Sequence, residues 1–509
     1  MKRRDFLRGA AVVAAGAGAG VGATLLAEQE ARAFGEVPAG AEASMVPPNL
    51  QAQNILEIFL YGGVSQYESF YCIDDPAFLD DNAPGWFTFF DSGDVQKAVT
   101  KCGIAGPLLQ DFAQDASGRM VRFGPYVMPL RERPDVMNRV RVSITHHDLE
   151  PHEGAIPLAL AGRGLGHPAL AGLGSHIQRY FLDRNQVPGR APFSYVLLSA
   201  NLGFPTDNIR SATAIGLHPG AARPLSLKVD AAGDVNALLA RGTVGQNRAA
   251  YDALMKSYLE RYDDRLRWKG VGDPLRAPRL VDLTAASESI AGSDAISAML
   301  DPSYFTKFGG SECTDNAATD STSMSLKLAT HLLTHPTSPA RYACVVDGGL
   351  VQADGGGGYD THGENSRTQA RNLGHTLKAL MGLINQPGEN DPAKLDLDKT
   401  MIVLTTEFGR TPYAQGGGKG RNHWPYGYPI TFIGGPIRPA NKGVFGACGP
   451  DSRAIAGSST PQENRIAALL ALGIWPFAPE SYNVSDVPGA TTEANAAALV
   501  RQRQLGIGS

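Results

Sequence analysis

Met401-Ile402-Val403-Leu404-Thr405 is apolar at consecutive positions, not at alternate ones. A strand with one wet face alternates. A continuous run of this length instead predicts a strand covered on both faces, the condition of a parallel sheet. Ile430-Thr431-Phe432-Ile433 repeats the pattern and is closed by Gly434-Gly435. Further strands are predicted at Asn54–Tyr61, ended by Gly62-Gly63, and at Arg139–Ile144, Tyr195–Ser199 and Arg341–Val346. Helical patterns fall between them, at Ala169–Asp183, Ser323–Thr334 and Pro461–Leu472. The clearest follows Gly363, where Leu373, Leu377, Leu380 and Ile384 form one apolar stripe and Pro387-Gly388 stops it. Strands alternating with helices predict an α/β fold with a largely parallel central sheet and helices on both faces.

Residues 53–509 are expected to form a single α/β domain, long enough for one large core. Between about 200 and 320 the texture changes. Val235–Arg267 and Ala285–Leu300 have few breakers and helical spacing, so this region is expected to be a mostly helical insertion. Residues 34–52, rich in Pro, Ala and Glu, are expected to be an extended linker.

Residues 1–33 have the pattern of an export signal. Arg3-Arg4-Asp5-Phe6-Leu7 is a twin-arginine pattern, an Ala/Gly/Val-rich stretch follows, and Ala31-Arg32-Ala33 is a small-x-small cleavage site. The expected partner is the twin-arginine export machinery, and the expected destination is the periplasm or the exterior. The stretch is weakly hydrophobic and no basic stop-transfer cluster follows it, so no stable membrane span is expected after cleavage. Removing 1–33 takes away five basic and three acidic side chains and moves the formal charge from -4 to -6. That mild acidity argues against nucleic acid as the main partner. The five cysteines show no CxxC spacing, which argues against zinc-finger and thioredoxin chemistry and leaves room for up to two disulfides.

In open parallel sheets, ligands bind beyond the carboxyl ends of the strands. Asp360-Thr361-His362-Gly363 lies on the loop before the long helix. Glu407 follows the strand 401–405, with Arg410 three residues on, and His423 lies just before the strand 430–433. His146 and His152 follow the strand 139–144, and Ser65 follows the glycine turn of the first strand. Carboxylate oxygen and neutral imidazole nitrogen suit a divalent ion, with zinc, calcium, magnesium and manganese all open. Asp360, His362 and His423 are the candidate metal ligands, with Glu407 as a further ligand or a general base. Arg410 is the candidate clamp for the oxygens of an anionic ester. His146 or His152 is a candidate ligand or acid for the leaving group, and Ser65 a candidate nucleophile.

At these residues the chain resembles exported bacterial proteins grouped as family 1501 of the domains of unknown function. The resemblance is carried by Tyr61-Gly62-Gly63-Val64-Ser65, by His146 with His152, by Asp360-Thr361-His362-Gly363, by Glu407-Phe408-Gly409-Arg410-Thr411-Pro412 and by Gly420-Arg421-Asn422-His423-Trp424-Pro425. That family is similar in fold to the alkaline phosphatase and sulfatase superfamily. The resemblance implies metals at the strand ends, with Asp360, His362 and His423 in one site. Under it Glu407 sits where the superfamily places an aspartate of a second site. The chain departs from the superfamily in carrying Phe408 where a histidine is usual and in lacking an aspartate at Tyr61-Gly62-Gly63, a gap that Glu68 is a candidate to fill. The leading expectation is an exported metal-dependent hydrolase acting on a small anionic ester or a sulfated or phosphorylated polymer. The rival is a non-catalytic exported binding or surface-associated protein.

Overall fold

A computed structural model of the chain describes residues 34–73, 106–167, 171–184, 194–199, 224–229, 320–336, 339–415, 419–455, 457–477 and 481–508, with isolated positions at 100, 202 and between 250 and 265. The strands are β1 (Asn54–Leu60), β2 (Gln110–Gln114), β3 (Met120–Phe123), β4 (Val140–Thr145), β5 (Ser194–Ser199), β6 (Leu225–Val229), β7 (Tyr342–Asp347), β8 (Thr400–Thr405), β9 (Gly409–Arg410), β10 (His423–Trp424), β11 (Tyr428–Gly434) and β12 (Gly443–Phe445). The main helices are α1 (His152–Ala161), α2 (Leu173–Asp183), α3 (Ser321–Leu333), α4 (Ser366–Gly382), α5 (Pro461–Ala471) and α6 (Glu493–Leu505).

Eight strands form one sheet in the order β12-β4-β11-β8-β1-β7-β5-β6. β1 pairs in parallel with both β7 and β8, and β5 with β7 and β6. β11 alone runs the other way, antiparallel to β8 on one side and β4 on the other. The sheet is therefore mostly parallel, as its continuous apolar strands require. Alternate side chains enter two cores. Leu56, Ile58, Val345, Ile402 and Leu404 pack with Leu328 and Leu332 of α3 and Leu373, Leu377 and Leu380 of α4. Ile55, Phe59, Val346, Met401 and Val403 pack on the opposite face with residues of α1, α2, α5 and α6, among them Ile156, Ile177, Ile466 and Val500. The predicted stripe of the long helix is that of α4, which ends at Gly382. Ile384 lies beyond its end, is bridged to Leu395 and stays in the same core.

Two expectations change. Leu225–Val229, inside the stretch read as a helical insertion, is the strand β6, added in parallel to the edge of β5. A five-residue edge strand is too short to break the helical texture around it. The predicted helix 235–267 lies mostly outside the described residues, although the few described positions between 250 and 265 are helical. The predicted helix 285–300 and residues 1–33 lie wholly outside them. The segment 34–52 is not an extended linker. It holds short 3-10 turns at Glu42–Ser44 and Pro48–Leu50 and buries Phe34, Met45 and Val46. Arg501 of α6 donates to the carbonyls of Ala43 and Met45, which fastens the segment to the domain. Cys72, Cys344 and Cys448 are buried, while Cys102 and Cys313 lie outside the described residues. No helix among the described residues is long and apolar enough to cross a membrane.

Candidate metal centre

The carboxyl ends of β1 and β8 lie side by side, and the chain turns sharply at both. Gly62 and Gly63 close β1 with φ of 117° and 96°, the left-handed region that favours glycine. A Cβ at Gly62 would come within 2.3 Å of the Asp360 backbone nitrogen, so the missing side chain lets the Asp360 loop settle on the end of β1. Glu407 stands two residues past β8. His423 opens β10, whose pairing with Arg410 of β9 holds it over the same edge. His152 is the first residue of α1.

These elements converge on the Asp360 carboxylate. His362 Nε2 is 3.0 Å and His423 Nε2 3.2 Å from Oδ1, and His152 Nε2 is 3.2 Å from Oδ2. His152, Asp360 and His423 form a group able to hold a metal ion, their ligand atoms all within 4.8 Å of one another. The opposite nitrogen of each ring faces an oxygen. His152 Nδ1 is 2.8 Å from Glu407 Oε1, His362 Nδ1 2.9 Å from Gln415 Oε1 and His423 Nδ1 2.9 Å from the Glu150 carbonyl. An oxygen there accepts, so each Nδ1 carries a proton, and each ring, when neutral, aims its Nε2 lone pair at the carboxylate. Lone pairs facing a carboxylate repel it. Protons on the rings or a shared cation relieve that repulsion. The His152 Nε2 is buried and makes no well-aligned hydrogen bond among the described residues. The nitrogen–oxygen distances are close to the roughly 3.3 Å edge of a tetrahedron with bonds of about 2.0 Å. The donor set and its spacing therefore fit a divalent cation, and the Nδ1 partners are of the kind that orient metal-bound histidines.

The electrostatics agree. Burial works against the Asp360 carboxylate, but its contacts with His152, His362 and His423 and the Arg410 charge hold its pKa well below the usual range. Burial also works against charge on His152, yet Asp360 and Glu407 outweigh it and raise that ring to about 9. His362 is raised by its contact with Asp360, while burial lowers His423. In the metal-free protein the charged His152 contributes stability in full below its ordinary pKa of 6.5, and that contribution is lost as pH rises through about 9. A cation must displace the same proton. Apparent Zn²⁺ affinity measured by chelator competition is therefore expected to tighten by about tenfold per pH unit between pH 6.5 and 8. An affinity that is flat with pH would contradict the assignment of His152.

The remaining candidates stand in different roles. Glu407 is fully buried, and its Oε1 also accepts from the Gly62 N–H at 2.8 Å. It lies behind His152, on the far nitrogen, and outside the metal-capable group of His152, Asp360 and His423. Replacing it with Gln removes the charge behind the ring and is expected to weaken metal affinity about 10- to 100-fold, read by the same competition. Arg410 is not an anion clamp. It is fully buried, donates to Asp360 Oδ1 at 2.6 Å and to the carbonyls of Gly62, Gly63, Tyr359 and Arg421, and so knits the two strand ends together. Ser65 is not placed as a nucleophile, because it is buried and donates to Glu68. Glu68 does not reach the centre either. It is paired at 2.7 Å with the equally buried Arg421. His146 lies at the surface against Ser458, so of the two histidines after β4 only His152 joins the cluster.

Sequence reasoning missed the supports. His147 accepts from the Leu149 N–H and donates to the Glu407 carbonyl at 2.7 Å, which fixes the turn after β8. The Gln415 amide and the Glu150 carbonyl aim two of the rings, and a backbone carbonyl leaves no trace in a residue pattern. The His362 side chain, 30% exposed, is the most open flank of the centre. No curated protein and no solved structure matches the chain. Residues 318–470, the stretch that carries Asp360, His362, Glu407, Arg410 and His423, match the model of the family described as Protein of unknown function (DUF1501).

Proposed function

We propose that the chain is an exported metal-dependent hydrolase of a phosphate or sulfate ester, in keeping with a likeness to the alkaline phosphatase and sulfatase superfamily. One observation carries the metal part of this reading: three imidazoles whose Nδ1 atoms face oxygens and whose Nε2 atoms converge on one carboxylate. Asp360, His152, His362 and His423 would hold the ion. When bound, a divalent ion there supplies Lewis acidity toward an ester oxygen and makes water a stronger nucleophile. Three imidazoles beside a single carboxylate favour a first-row transition ion such as zinc over calcium or magnesium. Asp360 keeps its charge, Glu407 holds His152 in one tautomer, and Arg410 keeps the Asp360 loop against the end of β1. With Ser65 turned to Glu68, attack falls to water, and the substrate enters from the flank of His362. Export by the twin-arginine pathway is supported by Arg3-Arg4 and by the Ala31-Arg32-Ala33 site.

The test is elemental analysis of the full chain purified from the periplasm, with turnover of p-nitrophenyl phosphate and p-nitrophenyl sulfate before and after chelation. The expected result is close to one equivalent of a transition ion and turnover of one ester that chelation removes. A protein that neither retains nor binds a metal would overturn the reading. The second reading is a non-catalytic exported binding protein, and it is favoured by the engagement of both Glu407 and Arg410 within the scaffold. A loaded centre that turns over neither ester decides for it.

A further inference from the structure

We propose that Phe408 is the positioning residue of this centre: its ring fixes the planes of the His423 and His152 imidazoles. The inference rests on the metal-centre reading above. Phe408 is fully buried, between the bend at Glu407 and the first residue of β9, Gly409. Its ring stacks on His423 with centroids 4.2 Å apart and planes 26° apart. It meets His152 at 4.9 Å and 50°, and the two imidazoles meet each other at 4.6 Å and 76°. The three rings close a triangle.

A hydrogen bond at Nδ1 pins one atom of an imidazole and leaves the ring free to pivot about it. The Nε2 lone pair lies in the ring plane, so that pivot sweeps it past the ligand direction. A flat contact against the ring face removes the pivot. Phe408 supplies that contact to His423 and a tilted one to His152, the two histidines whose Nε2 atoms lie with Asp360 in the metal-capable group. The scaffold makes room for it. A Cβ on Gly63 would fall 2.7 and 2.8 Å from Phe408 Cδ2 and Cε2, so Gly63 is needed for the ring as well as for the turn.

The test titrates the metal-free full chain with Co²⁺ and follows its visible absorption. Wild type is compared with Phe408→Leu, Phe408→Met and a control in the core between the sheet and α4, Leu377→Ala. Wild type is expected to take one equivalent with intense four-coordinate bands. Both Phe408 variants are expected to keep that stoichiometry, to bind about 10- to 100-fold more weakly and to show weaker, shifted bands. Leu377→Ala is expected to lower the urea midpoint of the metal-free protein and to leave affinity and spectrum unchanged. Affinity and bands of wild-type kind in the Phe408 variants, or the same change in Leu377→Ala, would overturn the positioning role. A wild type that binds no Co²⁺ would instead sink the metal-centre reading, and this inference with it.

Discussion

Asp360→Asn is expected to lower metal affinity by at least about a hundredfold, because it removes the one anionic donor at which three imidazole lone pairs meet. The amide keeps the volume and one carbonyl oxygen, so the change isolates charge. Two further consequences separate this from a general loss of structure. Asp360, together with Glu407, is what raises His152 to about 9 against the cost of burial. Without it, His152 is expected to titrate closer to its ordinary value, and the stability change of the metal-free protein on the alkaline side moves to lower pH. Arg410 loses the charge of its Asp360 partner but keeps the carbonyls of Gly62, Gly63, Tyr359 and Arg421. The stability loss is therefore expected to fall below the about 3–5 kcal/mol typical of a broken buried ion pair. Calorimetric Zn²⁺ titration with urea unfolding of the same samples checks both parts. A variant that retains wild-type metal affinity would remove Asp360 from the centre.

Glu57→Ala is expected to have the largest effect on stability, about 3–5 kcal/mol. Glu57 sits in the middle of β1, the strand flanked in parallel by β7 and β8, and is fully buried. Its Oε1 meets Arg465 Nη1 of α5 at 2.5 Å, and its Oε2 accepts from the Tyr342 hydroxyl at 2.6 Å. Arg465 is equally buried, and its Nε and Nη2 have no hydrogen-bond partner among the described residues. Truncating Glu57 strands that guanidinium in the core and leaves the Tyr342 hydroxyl without its acceptor. A double variant, Glu57→Leu with Arg465→Met, is expected to recover most of the loss, since neither charge then remains to be desolvated. Urea unfolding of the three proteins measures it. A Glu57→Ala midpoint indistinguishable from wild type would show that the pair is solvated.

Much of the architecture was legible because burial on both faces writes itself into composition. Met401–Thr405 and Ile430–Ile433 read as covered strands, and both are central in the sheet. The stripe Leu373, Leu377 and Leu380 read as the helix that covers one face. What was missed lacked a period. α1 is buried from Ala155 to Ala161, so no polar face marks it, and Pro157 lies inside it. α6 is built largely on alanine and shows no clear stripe. In the site, residue types were legible and orientations were not. Glu407 and Arg410 were singled out for their chemistry. Whether a carboxylate faces a cation or the far side of a histidine depends on the backbone around it, and so does whether a guanidinium faces a ligand or four carbonyls.

By itself, then, the sequence determined that covered strands and helices would alternate, and which side chains were available at the loops between them. It could not set the direction of β11. Apolar content is the same read forwards or backwards along a strand, so no residue pattern says which end meets the carboxyl edge of the sheet. Pairing Thr431 with Leu404 and Gly434 with Met401 runs β11 backwards against β8. Its entry, not its exit, then lies beside Glu407, and only that reversal carries His423 to the edge where Asp360 and His152 stand. In a parallel strand the same histidine would have emerged at the opposite end of the sheet, a full strand length from the centre.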